Sequence, residues 1–189
     1  MRRQLRPFYT PEQRAALYSR TYDHTRWPDH VERVAYTTAV LDRLGAELQA
    51  EELGATLSVA DLSCGNGAIV KGSSHPWGRR VLSDIAAGGP PIQDAVAALK
   101  PVDVFVCSET LEHVEDPDAL LAAIRGKARA LLLTTPAGEA DDSNPEHYWS
   151  WDVEDVAEML KRAGWDDRIV TTFTPRSVDL YTFQIWTCR

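Results

Sequence analysis

The chain has 189 residues, which suffices for one packed domain and is too short for two ordinary ones. Its 44% apolar and 25% charged residues are near the globular average, which excludes a wholly disordered chain or a fibre. With 20 basic against 28 acidic residues, the net charge of −8 disfavours bulk binding of nucleic acid or anionic membrane, because contact with phosphates needs a basic surface.

The sequence lacks the marks of a secreted or membrane-spanning protein. No apolar run approaches the roughly 20 residues of a membrane span, and the basic N-terminal stretch has no apolar region of the signal-peptide type. The three cysteines, Cys64, Cys107 and Cys188, are isolated and lack Cys-x-x-Cys spacing. A reducing, cytoplasmic location without a membrane partner is therefore expected.

Residues 1–55 are predicted to be helical. Thr10-Pro11-Glu-Gln13 is a capping-box pattern with proline at the first helical position. Asp29 and Glu32 repeat this signal before a helix with apolar residues at helical spacing, which Gly54 can end. Three arginines ahead of these helices are expected to form a solvated, frayed end: Arg2, Arg3 and Arg6.

Six strands are predicted after residue 55, and helices alternate with them. The helices run from Asp116 to about Lys127 and from Asp152 to Gly164. This alternation predicts an α/β fold of the doubly wound, Rossmann-like type, with a mainly parallel sheet covered on both faces. Ligands of such sheets bind at the carboxyl ends of the strands. The strands are Leu57–Leu62, Arg80–Asp84, Val102–Cys107, Ala130–Thr135, Arg168–Phe173 and Tyr181–Trp186.

A glycine loop follows the first of these strands. Gly65 and Gly67 let the backbone turn tightly and approach a ligand closely. Asp61 ends the strand before the loop, and Asp84 ends the next strand. A dinucleotide-binding loop has glycine or alanine where Val70 stands. The loop therefore favours a ligand with a cationic amine, which Asp61 neutralises, and a ribose, whose hydroxyls donate to Asp84; the alternative is an ordinary strand–helix turn.

This pattern resembles the class I S-adenosylmethionine (AdoMet)-dependent methyltransferases. Asp61-Leu-Ser-Cys-Gly-Asn-Gly67 is similar to their first motif, with Ser63 where glycine is more usual. The segment 104–117 resembles their fourth-strand segment, and 131–136 resembles their fifth strand. Over about residues 56–189 the resemblance implies a seven-stranded sheet whose last strand, near Leu180–Thr187, is antiparallel.

The resemblance also implies the cofactor, AdoMet, and the residues that bind it. The strand that is third in the family is expected to shrink here to a few residues around Ile92, because Gly88-Gly-Pro-Pro91 interrupts the segment between Asp84 and Val102. Ile92 and Gln93 are candidates for the adenine contact. Cys64 is interpreted as packing beside the loop, without chemistry of its own. The candidate cofactor-binding residues are Asp61, Ser63, Cys64, Gly65, Gly67, Asp84, Ile85, Ile92, Ser108 and Glu109.

A cluster of carboxylates and histidines follows the third predicted strand. Glu109, Glu112 and His113, with His147 further on, make a plausible site for a divalent cation such as Mg²⁺. The spacing resembles that of the small-RNA 3′-end 2′-O-methyltransferases and the ubiquinone-pathway O-methyltransferases. In the former, a metal grips the acceptor's hydroxyls. The alternative is a site without metal, in which His113 or His147 is the general base and Glu112 supports it.

Aromatic and histidine residues gather in the N-terminal segment. In the family that the chain resembles, N-terminal helices often cover the cofactor and line the acceptor pocket. Tyr18, Tyr22, Trp27 and His30 are therefore lid candidates, while Trp27 with Tyr36 could instead anchor a helix to the sheet. Residues 1–55 are interpreted as a lid and substrate segment, and residues 56–189 as the AdoMet-binding core of the same domain.

The sequence thus predicts AdoMet-dependent methyl transfer to a small-molecule or nucleotide-like acceptor, with oxygen favoured as the acceptor atom. No Asn-Pro-Pro-Tyr, Asp-Pro-Pro-Tyr or Pro-Cys sequence is present, which together with the net charge disfavours duplex DNA. The alternatives are a non-catalytic AdoMet-binding regulatory or scaffold protein, and a methyltransferase of nucleic-acid ends. Val70 disfavours a nicotinamide oxidoreductase. The acceptor and the oligomeric state stay open.

Overall fold

A computed structural model describes residues 1–19, 26–138, 144–175 and 182–189. Six helices and eight strands lie in this part of the chain. The helices are α1 Pro11–Leu17, α2 Pro28–Glu51, α3 Ala68–Gly72, α4 Ile92–Ala98, α5 Pro117–Arg125 and α6 Val153–Arg162. The strands are β1 Arg3–Gln4, β2 Ser58–Asp61, β3 Arg79–Leu82, β4 Val102–Ser108, β5 Ala128–Pro136, β6 Trp149–Ser150, β7 Asp167–Phe173 and β8 Phe183–Cys188.

The main sheet has the order β3-β2-β4-β5-β8-β7. The first four strands in this order are parallel, and β8 runs antiparallel to both β5 and β7. This confirms a mainly parallel sheet with an antiparallel last strand. The count of seven strands is wrong for the described residues, which form six in this sheet.

The missing strand is the one expected around Ile92. Pro91 is the N-cap of α4, and Ile92 is its first residue. The chain after β3 instead makes a 3₁₀ turn, Ile85–Ala87, which Asp84 caps. Two consecutive prolines restrict the residues before them and fit a helix start, so this short segment forms no strand in the sheet.

Two apolar layers enclose the sheet, because successive side chains of a strand point to opposite faces. On one face Val104 and Leu132 pack against α2 and α3, where Leu41 is fully buried. On the other face Phe105 and Leu131 pack against the layer of α4, α5 and α6. The buried strands are continuous apolar runs, as in other parallel sheets covered on both sides.

The N-terminal helices differ from the sequence prediction in one cap. The capping box of α1 at Thr10 and Gln13 is confirmed. The prediction of Asp29 as an N-cap is wrong, since α2 begins at Pro28 after Trp27, and Asp29 is buried in its first turn. Proline at the first helical position fixes this earlier start.

The N-terminal arginines are not a frayed end. Arg3–Gln4 pairs antiparallel with Trp149–Ser150, and the Arg2 guanidinium lies 4.2 Å from the centroid of the Trp149 ring. Arg2 also forms an ion pair with Asp118. None of the helices in the described ranges is long and apolar enough to cross a bilayer.

Candidate active site

The carboxyl ends of β2, β3 and β4 meet at one edge of the sheet and carry the predicted cofactor residues. Asp61, the last residue of β2, is 2% exposed, and its Oδ1 accepts from the Ser63 amide at 3.3 Å. Burial, reinforced by the nearby charge of Asp84, raises the pKa of Asp61 to about 7. A buried acid with this pKa has little solvation to stabilise its charge and favours a cationic partner.

The glycine loop is fixed in the geometry that its sequence predicts. Gly65 and Gly67 have φ of 53° and 78°, in the left-handed region that favours glycine. A β-carbon on Gly67 would lie 2.9 Å from Lys71 Cε. Burial raises the pKa of Cys64 to about 11, so its thiol stays neutral and supports packing over chemistry.

Asp84, two residues beyond β3, holds the loop through its carboxylate. Its Oδ2 accepts from the Gly65 amide at 2.7 Å, and its Oδ1 accepts from the Ala86 amide at 2.9 Å. Each carboxylate oxygen has more than one acceptor position. Asp84 can therefore keep both backbone contacts and still accept from ligand hydroxyls.

Gly65 and Asp84 border a cavity of about 730 Å³, within the range of pockets that hold small molecules and cofactors. A recess of about 10 Å³ adjoins it and shares Arg33, Ser63 and Ser108 as lining residues. Asp61 and Cys64 line the recess, whereas Gly67 lines neither space. The predicted site residues that line the larger cavity are Ser63, Gly65, Asp84, Ile85, Ile92, Gln93, Ser108, Glu109, His113 and His147.

Hydroxyl groups connect the loop to the end of β4. The Ser63 hydroxyl lies 2.7 Å from that of Thr110, which donates to the Ser108 carbonyl at 3.0 Å. Because the Thr110 proton is committed to this carbonyl, Ser63 is the donor of the pair. The lone pairs of Ser63 then remain as acceptors at the border of cavity and recess.

The carboxylate–histidine cluster assembles as three residues instead of four. Ligand atoms of Glu112, His113 and His147 lie within 4.8 Å of one another, and Glu109 is outside this group among the described residues. Glu109 is the single described residue other than glycine with a positive φ, 51°. Its Oε1 accepts from the Thr134 hydroxyl at 2.8 Å.

Glu112 lies beneath the two histidines and does not border the cavity. It is 1% exposed, and its Oε2 accepts from the Thr135 hydroxyl at 3.0 Å. Its Oε1 has no hydrogen-bond partner within the described ranges. Burial, with Glu109 nearby, raises the pKa of Glu112 to about 8. A role in direct contact with an acceptor therefore does not fit Glu112; a supporting role does.

The surroundings of His113 define which ring nitrogen carries its proton. Nδ1 lies 3.1 Å from the Glu146 carbonyl oxygen and 3.2 Å from the Tyr18 hydroxyl. A carbonyl can only accept, so Nδ1 is the protonated nitrogen in the neutral ring. Nε2, which lies 3.9 Å from Glu112 Oε1, then keeps its lone pair.

His147 is oriented by Asn144. The Asn144 Oδ1 accepts from the Glu146 amide at 3.0 Å, which turns the Nδ2 group towards His147 Nε2 at 3.1 Å. The amide donates in this contact, so Nε2 of His147 is an acceptor. Both neutral imidazoles thus carry their proton on Nδ1.

The N-terminal segment reaches the same cavity. Tyr18, Trp27 and His30 line it, and Tyr22 lies outside the described residues. Trp27 is 54% exposed and does not anchor α2, whereas Tyr36 stacks on Phe173 with ring centroids 4.7 Å apart. The lid interpretation therefore fits Trp27 better than the anchor interpretation.

Sequence reasoning missed Arg33, which is 1% exposed and borders both the cavity and the recess. Its Nη1 donates to the Ser108 hydroxyl at 2.9 Å. A signal was present in the sequence, since Arg33 lies on the helix stripe that continues with Thr37, Leu41, Leu44 and Leu48. A charged residue within an apolar stripe indicates either a buried ion pair or a ligand.

The strand order and the loop geometry define the fold of the class I AdoMet-dependent methyltransferases. Solved structures share it at low sequence identity. The Burkholderia thailandensis 1,6-didemethyltoxoflavin N1-methyltransferase, with its substrate and S-adenosylhomocysteine bound, matches with a TM-score of 0.62 and 19% identity over 97% of this chain and 92% of that one.

Two further structures extend this likeness. A Leishmania major SAM-dependent methyltransferase matches with a TM-score of 0.60 and 14% identity over 98% of this chain and 88% of that one. The Synechocystis magnesium protoporphyrin IX methyltransferase, with S-adenosylhomocysteine bound, matches with a TM-score of 0.58 and 13% identity over 88% and 87%. No protein-family model and no curated protein matches the chain.

Proposed function

We propose that the protein binds AdoMet and transfers its methyl group to a small-molecule or nucleotide-like acceptor. One observation carries this proposal: acidic side chains for an amine and for hydroxyls lie at or just beyond the ends of adjacent strands, with Asp84 lining a cavity of about 730 Å³ and Asp61 lining the recess that adjoins it. S-adenosylhomocysteine, the product of such a transfer, is bound in two of the similar structures.

AdoMet supplies an electrophilic methyl group on a sulfonium, so transfer is a direct displacement that depends on alignment and on removal of one proton. His113 is the proposed base, because its Nε2 keeps a lone pair while its Nδ1 donates to Glu146. Trp27 and Tyr18 would cover the acceptor from the N-terminal side, in keeping with residues 1–55 as the substrate segment. Oxygen remains our favoured acceptor atom.

A divalent cation is a second element of the proposal, favoured by the convergence of Glu112, His113 and His147. Two imidazoles and one carboxylate suit Mn²⁺, Fe²⁺ or Zn²⁺ better than Mg²⁺, which prefers oxygen ligands and water. Such an ion would lower the pKa of an acceptor hydroxyl. Titration calorimetry with Mn²⁺ tests the site: we expect binding that Glu112→Gln abolishes and Glu109→Gln retains, and no binding to the native chain would contradict it.

Turnover distinguishes the enzyme from a non-catalytic AdoMet-binding protein. Methyl-labelled AdoMet is incubated with the protein and acceptors that include phenols, hydroxylated heterocycles, nucleosides and short RNA and DNA ends. We expect transfer to a small molecule, with at least about a 100-fold loss in His113→Gln. AdoMet binding without transfer to any acceptor would favour a regulatory or scaffold protein, and transfer to polynucleotide ends alone would favour the nucleic-acid alternative.

A further inference from the structure

Asp29 is a buried acid that borders the cavity without a hydrogen-bond donor of its own. It is 7% exposed and lines the cavity of about 730 Å³. The His30 ring is the one basic group listed beside it, and Nε2 of that ring lies 3.8 Å from Asp29 Oδ2, beyond hydrogen-bond distance. Within the described ranges no residue donates a hydrogen bond to this carboxylate. A buried acid of this kind needs a partner, which the protein itself does not supply.

The neighbours of Asp29 on α2 do not neutralise it. Burial and the charge of Arg33 lower the pKa of His30, so the imidazole stays neutral and is not a countercharge. Arg33 follows one turn later on the helix, and its Nη1 donates to the Ser108 hydroxyl at 2.9 Å. An acid in the first turn of a helix is favoured by the helix dipole. An exposed acid would give the same benefit without the cost of burial, so stabilisation of the helix does not explain why Asp29 is buried.

The wall of the cavity carries more acidic than basic side chains. Asp84 accepts from backbone amides and Glu109 accepts from the Thr134 hydroxyl, whereas Asp29 has no such donor. Arg14 is already in an ion pair with Glu115. The cavity therefore favours cationic ligands over anionic ones. Its charged lining residues, the histidines apart, are Arg14, Asp29, Arg33, Asp84, Glu109 and Glu146.

Aromatic rings accompany Asp29 on this wall. Trp27 is the N-cap of α2, two residues before Asp29, and lines the cavity, as do Tyr18 and Phe183. The faces of aromatic rings attract ammonium groups, and tryptophan does so most strongly. A carboxylate among aromatic rings therefore suits a positively charged nitrogen, and repels a phosphate or a carboxylate.

We propose that Asp29, together with Trp27, binds a protonated amine of the methyl acceptor. The inference rests on the proposed function and narrows its acceptor to small molecules that carry both a hydroxyl and an amine. Asp29 lies on α2, in the segment interpreted as binding the substrate, whereas the acids proposed for the cofactor lie at the strand ends. A protonated nitrogen has no lone pair with which to attack a methyl group. The amine is therefore a recognition group, and the methyl group goes to another atom of the acceptor.

The test compares amines with neutral forms of the same molecules. Calorimetry on the protein saturated with S-adenosylhomocysteine uses tyramine, dopamine and glucosamine, each against its N-acetyl form, which keeps the hydroxyls and loses the charge. We expect the native protein to bind at least one amine tighter than its N-acetyl form by about tenfold or more. Asp29→Asn, which keeps the shape of the side chain, should bring that ratio within about twofold of unity.

Two further variants accompany this measurement. Glu47→Gln removes one negative charge from the exposed side of the same helix, away from the cavity, and should leave the ratio unchanged. Trp27→Leu, at a side chain that is 54% exposed, should lower the preference for the amine about threefold or more. If Asp29→Asn does not fold, the ratio in Trp27→Leu decides, and an unchanged ratio there would reject the proposal.

The cofactor provides the remaining control, because AdoMet carries one positive charge more than S-adenosylhomocysteine. Asp29→Asn should keep the ratio of these two affinities within about twofold. A selective loss of AdoMet would place Asp29 beside the sulfonium and overturn the proposal.

A native protein that binds S-adenosylhomocysteine but prefers none of the amines would overturn the inference and leave the proposed function standing. A preference that survives in Asp29→Asn would overturn it as well, and so would a lower urea midpoint with an unchanged ratio, since Asp29 would then be structural. Absence of S-adenosylhomocysteine binding to the native protein is a different result, and it would contradict the proposed function itself.

Discussion

Burial decides the protonation of Asp61. It ends β2 at 2% exposure, and desolvation raises its pKa to about 7 from an ordinary value of 3.8. In the protein without ligand it is therefore protonated in part at neutral pH. An ammonium group placed beside it stabilises the ionised form, so binding of such a ligand releases a proton.

Affinity for S-adenosylhomocysteine should consequently rise with pH up to about 7 and level off above it. Below that pH the ligand must displace the proton, which weakens binding by about tenfold per pH unit. Calorimetry from pH 5.5 to 8.5, in buffers of different ionisation enthalpy, measures both the affinity and the released proton. Asp61→Asn should bind more weakly at pH 8 and lose the dependence, and a native affinity that is flat across this range would refute the assignment.

Some site residues were predictable from local sequence and others were not. The glycine loop follows the buried strand β2, and Asp84 lies two residues beyond β3, so their place at the sheet edge follows from the pattern alone. Arg33 enters the site from a helix 28 positions before Asp61, and only tertiary packing brings them together. Glu112 was predicted as a metal ligand or as the support of a histidine base, and the 3₁₀ turn Leu111–His113 places it beneath the histidines, away from the cavity.

At the scale of elements, α2 packs closely on the loop before β3. Gly45, in the interior of α2, faces the ring of His75, and a β-carbon there would lie 2.8 Å from His75 Cγ. His75 is buried and packs against Trp77 with ring centroids 4.3 Å apart, so the ring has little room to move. Glycine is needed here for close approach.

Gly45→Ala should therefore destabilise the protein by about 1–3 kcal/mol despite the better helix propensity of alanine. Gly72→Ala in α3 is the control, because the nearest side-chain atom to its β-carbon would be 3.7 Å away and its φ is not positive. That change should be neutral or stabilise by up to about 1 kcal/mol. Urea unfolding of both variants measures the difference, and equal free energies of unfolding would contradict the close packing.

The N-terminal segment 1–9 is a second element that the sequence did not disclose. Its strand β1 pairs with β6, and Leu5 donates its amide to the Tyr148 carbonyl at 2.8 Å. Phe8 packs on Tyr148 with ring centroids 5.0 Å apart. A two-residue strand carries no detectable sequence period, which explains why the pattern predicted a frayed end.

Phe8→Ala should loosen this segment without unfolding the core. Hydrogen exchange at the Leu5 amide should accelerate by at least about tenfold, while amides of β4 keep their protection. Tyr36→Ala is the control. Tyr36 is 38% exposed and Phe8 is 40% exposed, but the ring of Tyr36 stacks on Phe173 and not on Tyr148. This variant should leave Leu5 unchanged, and unchanged exchange in Phe8→Ala would show that the ring does not hold the segment.

At the scale of the whole molecule, the six-stranded sheet gathers the acids of the candidate site at one edge. The net charge of −8 includes three acids that line the cavity or its recess and face the place proposed for a cationic cofactor: Asp61, Asp84 and Glu109. It also includes Glu112, which is buried beneath the histidines. A mainly parallel sheet was predictable because buried strands and helices alternate along the chain, and the antiparallel last strand followed from the resemblance to the methyltransferases. The loss of the strand expected at Ile92 was not predictable from this alternation. The conformation of that short segment depends on its two prolines, after which α4 begins.

Binding of S-adenosylhomocysteine and of NAD, measured by calorimetry on the native protein and on Asp84→Ala, tests the central claim most directly. We expect one molecule of S-adenosylhomocysteine to bind per chain, no binding of NAD, and a loss of at least about tenfold in Asp84→Ala, which removes the acceptor of ribose hydroxyls. Asp94→Ala, at an exposed acid of α4, is the control and should bind as the native protein does. Saturable binding of NAD with none of S-adenosylhomocysteine or AdoMet would contradict the account.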